Sequence, residues 1–158
     1  MTDHAVQPIL IAACGNTLAG DDAFGPLVAR ELAGQSLSVV EVIDLGIRPA
    51  GLIDHLPGRR AVILVDAAVC PGAAPGGLLD MDFFAPGRPT LCADRITSTH
   101  ALSLAGQLEL ARALGMLPPI VRLVALVVES TQVGAPGAWA SQRVGEAAAL
   151  IERRMRNL

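Results

Sequence analysis

The sequence predicts an α/β fold: a single domain over residues 1–158, built on a five-stranded, mostly parallel, twisted sheet with helices on both faces. Three observations carry that prediction. Short apolar runs alternate with helical patterns along the chain, which is the order of a parallel sheet with crossover helices. The composition is 52% hydrophobic with only 3% aromatic residues, so the core is made of Ala, Val, Leu and Ile, the usual material of a buried parallel sheet. A length of 158 residues matches one ordinary domain, enough to bury roughly two thirds of the unfolded surface.

Ile9 to Ala13 reads as the first strand. A glycine-rich segment, Gly15-Asn16-Thr17-Leu18-Ala19-Gly20-Asp21-Asp22-Ala23-Phe24-Gly25, then leads into a helix at about Gly25 to Leu32. Val39 to Ile43 is the second strand, closed by Asp44, and Pro49 to Leu56 the second helix. Ala61 to Val65 is the third strand, and Asp66 ends its apolar run. After the turn-rich stretch Pro71 to Gly76, Gly77 to Met81 fits a strand added out of sequence or antiparallel at an edge. His100 to Leu114 carries a helical stripe through Ala101, Leu104, Leu108 and Ala111. Val121 to Val128 is the last strand and Gly137 to Arg156 the last helix, whose terminal Arg153, Arg154 and Arg156 complement the helix dipole.

Composition also removes classes of function. Net charge is −3 and all 12 basic residues are Arg, without the basic face that nucleic acid requires. The longest apolar runs fall far short of the ~20 residues of a membrane span, so no membrane insertion is expected. Met1-Thr2-Asp3-His4 has no basic n-region ahead of an apolar stretch, which argues against a secretory signal. Cys14, Cys70 and Cys92 are odd in number and lack C-x-x-C spacing, which fits reduced cytoplasmic thiols better than disulfides or a zinc site.

A glycine-rich turn after a first strand usually cradles phosphate on free helix amides. Here the turn ends in Asp21 and Asp22, and no Arg precedes Arg30, so a pyrophosphate would be repelled. Gly15 and Gly20 instead let the backbone bend so that a carboxylate faces the incoming partner. In a parallel sheet the first and third strands in sequence can be neighbours, and the loops after them then bring Asp22 and Asp66 together. A helix entering at the same rim adds His100. Two carboxylates and an imidazole suit a divalent transition metal with open positions, and they equally suit acid–base chemistry without one.

Each residue also has an ordinary reading. Asp21 or Asp22 fits an N-cap or first-turn acid of the helix that follows. His100 fits a surface residue beside a cap, and His4 and His55 sit in a terminal tail and a short helix. Asp44 either lines the site or holds a loop by accepting backbone N–H bonds. Asp66 is harder to explain this way, because an acid in an apolar strand is costly to bury unless paired or exposed at the strand end.

Other site types fail on their motifs: G-x-S-x-G, H-E-x-x-H and the P-loop are absent, and the glycines are spaced wrongly for a Rossmann turn. A receiver domain needs a lysine near its fifth strand, and the chain has no lysine.

The pattern Gly15-Asn16-x-Leu18-x-x-Asp21-Asp22-x-x-Gly25, then Val65-Asp66-Ala67, then Ser98-x-His100, resembles the [NiFe]-hydrogenase maturation endopeptidases. The likeness runs in order from Ile9 to the last helix. It implies an aspartyl-type peptidase that trims the C-terminal peptide of the hydrogenase large-subunit precursor after nickel insertion. It further implies that Asp22, Asp66 and His100 form a catalytic set contacting nickel, carried by the precursor. The first of these positions is often Glu in the family; Asp22 is one methylene shorter. Where many members have Asp-Gly-Gly-Thr, this chain has Asp44-Leu45-Gly46-Ile47-Arg48, so substrate binding falls to Asp44, Gly46 and Arg48 in a loop that differs. The competing readings are a non-catalytic nickel carrier and an α/β hydrolase on another substrate.

Overall fold

A computed structural model describes residues 6–87, 104–131 and 137–158. The elements run β1 (Ile9–Ala13), α1 (Phe24–Ala33), β2 (Val40–Asp44), α2 (Leu52–His55), β3 (Ala61–Ala68), β4 (Leu78–Asp82), α3 (Leu104–Ala113), β5 (Ile120–Val127) and α4 (Ala140–Arg156). One-turn 3-10 segments, Gly20–Ala23 and Pro49–Gly51, lead into α1 and α2.

The strands form one sheet in the order β2-β1-β3-β5-β4. All pairs are parallel except β4 with β5, which runs antiparallel with Leu78 opposite Leu126. The edge position expected for the segment after the turn-rich stretch is therefore the observed one. Two apolar layers cover the sheet. Phe24, Val28 and Leu32 of α1 and Ala147 and Ile151 of α4 pack over Ile11, Ile63 and Val124 on one face. Leu52 of α2 and Leu108 and Ala111 of α3 pack over Leu10, Leu64 and Leu123 on the other. Coverage on both sides is why β1 and the first part of β3 are apolar at every position rather than at alternate ones.

Several boundaries differ from the sequence expectation, each for a physical reason. β3 continues through Asp66, Ala67 and Ala68 because β5 extends alongside and keeps the ladder paired, Asp66 opposite Ala125. The second helix keeps its expected bounds to within a residue, as a 3-10 turn, Pro49–Gly51, that runs into Leu52–His55. α4 begins at Ala140 rather than Gly137, since the amides of residues 138–140 are taken by a side chain from elsewhere in the chain. Arg154 does more than complement a dipole: its Nε donates to Asp80 Oδ2 at 2.6 Å, and Arg122 Nη2 meets Asp80 Oδ1 at 2.6 Å, tying α4 and β5 to the edge strand. No helix among the described residues is long and apolar enough to cross a membrane.

Candidate functional site

The loop after β1 is built by close backbone approach. Cys14 N–H donates to Val65 O at 2.8 Å and Gly15 N–H to Gly46 O at 2.9 Å, so the loop is stitched at once to the middle of β3 and to the turn after β2. Gly15 has φ +148°, and a Cβ there would stand 2.1 Å from Asp22 O. At Gly25 a Cβ would stand 2.1 Å from Cys14 O and 2.8 Å from Val65 O, so the start of α1 lies directly on the end of β1 and the middle of β3. These two glycines are required by contact, not by flexibility alone.

Within the loop, Asn16 Oδ1 accepts Leu18 N–H at 2.9 Å and Asn16 N–H donates to Asp22 Oδ2 at 2.9 Å. Asp22 is 1% exposed. Its neighbour Asp21, also buried, points to a different part of the molecule. Asp21 Oδ1 accepts the amides of Trp139 and Ala140 at 2.7 Å, and both carboxylate oxygens lie 3.0 Å from Ala138 N. Burial raises the Asp21 pKa, but the Ala138, Ala140 and Trp139 amides outweigh it and the carboxyl ends below its ordinary range. Asp21 is thus a helix cap, as one reading of the sequence allows, yet for α4 rather than for the helix that follows it. α4 has no cap of its own: its N-cap residue is Trp139, whose side chain makes no capping bond. That missing Ser, Thr, Asp or Asn before the last helix is the sequence signal that a distant acceptor was needed.

Asp66 lies one residue beyond Val65, the residue whose carbonyl receives Cys14 N–H and underlies Gly25. The 15–25 segment thus packs on β3 at Val65, so Asp22 and Asp66 belong to two segments that meet beyond the carboxyl end of β1. Asp66 is half-buried and alternates with Leu64 and Ala68 toward the α2/α3 layer. Loss of hydration pushes its carboxyl up to about 7, partly offset by the Ala67 N–H, which donates to Oδ1 at 2.8 Å. A carboxyl poised near neutrality can hold or release a proton during catalysis.

Asp44 closes β2 opposite Ala13 and accepts Gly46 N–H at 2.8 Å, so it holds its loop in the manner the sequence allowed. Gly46 takes a left-handed φ of +57° and Arg48 N–H returns to Leu45 O at 3.1 Å. Through the Gly15–Gly46 bond this turn sits on the same rim, with the Arg48 side chain exposed. Leu18 and Ile47, 79% and 65% exposed, project from the two joined loops. His100 lies outside the described residues, as do His4, Cys92 and the predicted first turn of the helix from His100. Among the described residues, no group of three or more His, Cys, Asp or Glu forms a metal cage.

The same fold and order of elements recur in known proteins. The hydrogenase maturation protease (HycI) family model matches residues 26–154. The hydrogenase 2 maturation protease of Escherichia coli (strain K12) is 30% identical over 129 residues, covering 78% of this chain and 75% of that protein. The hydrogenase maturating endopeptidase HybD from E. coli superposes with a TM-score of 0.77 at 25% identity, over 94% of this chain and 92% of the other. A hydrogenase 2 maturation peptidase from a Thaumarchaeota archaeon gives 0.66 at 28% identity, over 93% and 97%. Shared sequence across most of the length and a shared architecture across nearly all of it place this peptidase in the hydrogenase maturation protease family.

Proposed function

We propose that this peptidase removes the C-terminal peptide of a [NiFe]-hydrogenase large-subunit precursor after nickel insertion, and that it does so in the cytoplasm. The odd number of cysteines without C-x-x-C spacing, with Cys14 and Cys70 both buried, suits a reducing compartment. The observation that supports the reading is the packing of the glycine-rich loop on β3 at Val65, beside Asp66, whose carboxyl burial raises to about 7. Nickel enters as part of the substrate. Carboxylate oxygens and an imidazole nitrogen are donors a divalent nickel ion accepts, and two carboxylates with one histidine are too few to fill its coordination shell. The precursor's own ligands complete that shell, so contact by Asp22, Asp66 and His100 docks the scissile bond only when the metal is in place. The Asp44 to Arg48 turn, Gly46 included, supplies the rim against which the precursor tail is read.

The test is cleavage of nickel-loaded against nickel-free precursor by purified protein. Loaded precursor is expected to be cut and nickel-free precursor left intact; equal cleavage of both would remove nickel from the account. Asp22→Ala, Asp66→Ala and His100→Ala are each expected to lower processing by about 100-fold or more with the fold retained, and full activity in any of them would take that residue out of the site. Tight stoichiometric nickel binding by the isolated protein without cleavage would favour the carrier reading instead.

A further inference from the structure

Asp21 and Asp22 are adjacent in sequence and face opposite ways. Asp22 turns inward to Asn16 N–H, and Asp21 turns outward to the amides of Ala138, Trp139 and Ala140. The contact continues through the backbone: a Cβ on Gly137 would stand 3.2 Å from Gly20 Cα. The start of α4 thus lies against the 3-10 turn that bears both acids. Trp139, the chain's single tryptophan, also packs on Gly76, where a Cβ would come within 2.7 Å of the indole. The start of α4 is fixed from two sides, by Asp21 and by the turn ahead of β4.

We propose that Asp21 is a positioning residue for the peptidase reaction: by capping α4 it sets the height and orientation of the 3-10 turn, and so the place of the Asp22 carboxylate at the sheet edge. The loop is sewn to β3 and to the turn after β2 at its first residues, Cys14 and Gly15, and on the α4 side it is held by the Asp21 side-chain bonds and the close approach of Gly137 to Gly20. Loss of the Asp21 bonds loosens the turn against α4, and a displacement of about 1 Å at a reacting group is enough to cost roughly 100-fold in rate. Asp22 itself is not altered. The proposal rests on Asp22 belonging to the site described above.

The experiment compares Asp21→Ala, Asp21→Asn and Asp21→Glu in the full chain, with nickel-loaded precursor as substrate and Trp139 emission as a local probe. Asp21→Ala is expected to lower kcat at least ~10-fold with KM nearly unchanged, to shift Trp139 emission, and to leave the far-ultraviolet circular dichroism of a folded protein. Asp21→Asn keeps an acceptor oxygen for the Trp139 and Ala140 amides and is expected to recover most of kcat. Asp21→Glu keeps the charge and the cap but lengthens the strut by a methylene, so it is expected to hold stability and still lose rate; this variant decides the matter if Asp21→Ala fails to fold. Wild-type kcat in Asp21→Glu, or in a folded Asp21→Ala whose Trp139 emission has shifted, would reduce Asp21 to a cap and overturn the proposal. Asp22→Ala is run in parallel. Full activity there would dismiss the Asp22 site itself, whereas an inactive Asp22→Ala beside a fully active Asp21→Glu would dismiss only the positioning role.

Discussion

The 3-10 turn after β1 and the far half of β3 each carry an acid, Asp21 and Asp66, and their surroundings act on the two in opposite senses. Asp21 is buried, which alone would raise its pKa, but the start of α4 supplies Ala138, Ala140 and Trp139 amides and the net shift is downward. Asp66 is desolvated with the Ala67 amide as a partial offset, and its carboxyl rises to about 7. The two acids differ in both respects: desolvation wins at Asp66, where one amide offsets it, and three amides aimed at the charged form win at Asp21. A carboxylate that meets a helix N-terminus is locked as an anion and serves as a strut. One that titrates near neutrality is available for proton transfer.

The largest expected effect comes from prying the two regions apart. In Gly25→Ala the new methyl would lie against Cys14 O and Val65 O, fixed backbone atoms of β1's end and β3, so α1 and the loop must move off the sheet. A loss of about 3 kcal/mol or more is expected, read as a fall in the midpoint of urea unfolding. Midpoints within error of wild type would mean that the loop and β3 are not rigidly joined, and the comparison would lose its geometric basis.

A subtler effect separates the two acids by pH. Asp21 has a depressed folded pKa, so its contribution is present above the unfolded value of 3.8 and is lost as pH falls through the lower folded value. Asp66 has a raised one, so its contribution is full below 3.8 and is lost as pH rises through about 7. Urea melts at about pH 3, 5 and 8 of Asp21→Asn and Asp66→Asn give the signs. Relative to wild type, Asp21→Asn should be weaker at the two higher pH values, with the gap closing at the lowest. Asp66→Asn should gain on wild type between the middle and the highest. Parallel profiles for both variants would show that the two regions do not differ in the way described.

Much of this contrast was legible in the sequence, and the unreadable part has a common cause. Ile9 to Ala13 stands out because β1 is covered on both faces and has no polar position to blur its run. The edge placement of β4 follows from the turn-rich stretch ahead of it, and Asp66 is conspicuous as an acid inside an apolar strand. The Asp44 loop was read as either lining or self-holding, and its Asx bond to Gly46 is local enough to have been an option. What pattern reasoning could not pair is Asp21 with the start of α4, or Asp80 with Arg122 and Arg154. Both join segments whose meeting is set by sheet order and helix packing, not by periodicity along either one. His100 remains a reading of motif and order, since it lies outside the described residues.

The bond between Asp21 and α4 spans 117 to 119 positions, nearly three quarters of the chain. A contact so non-local requires most of the sheet to be in place first, because closing that loop has an entropic cost that only earlier contacts can offset. It is expected to form late on the way to the native state, so that its energy falls mainly on the unfolding barrier. Removing it should leave the refolding rate of Asp21→Ala close to wild type and speed unfolding, by roughly 10-fold for about 1.4 kcal/mol lost, as stopped-flow chevrons would show. The carboxylate that caps α4 would therefore also set how long each folded molecule lasts.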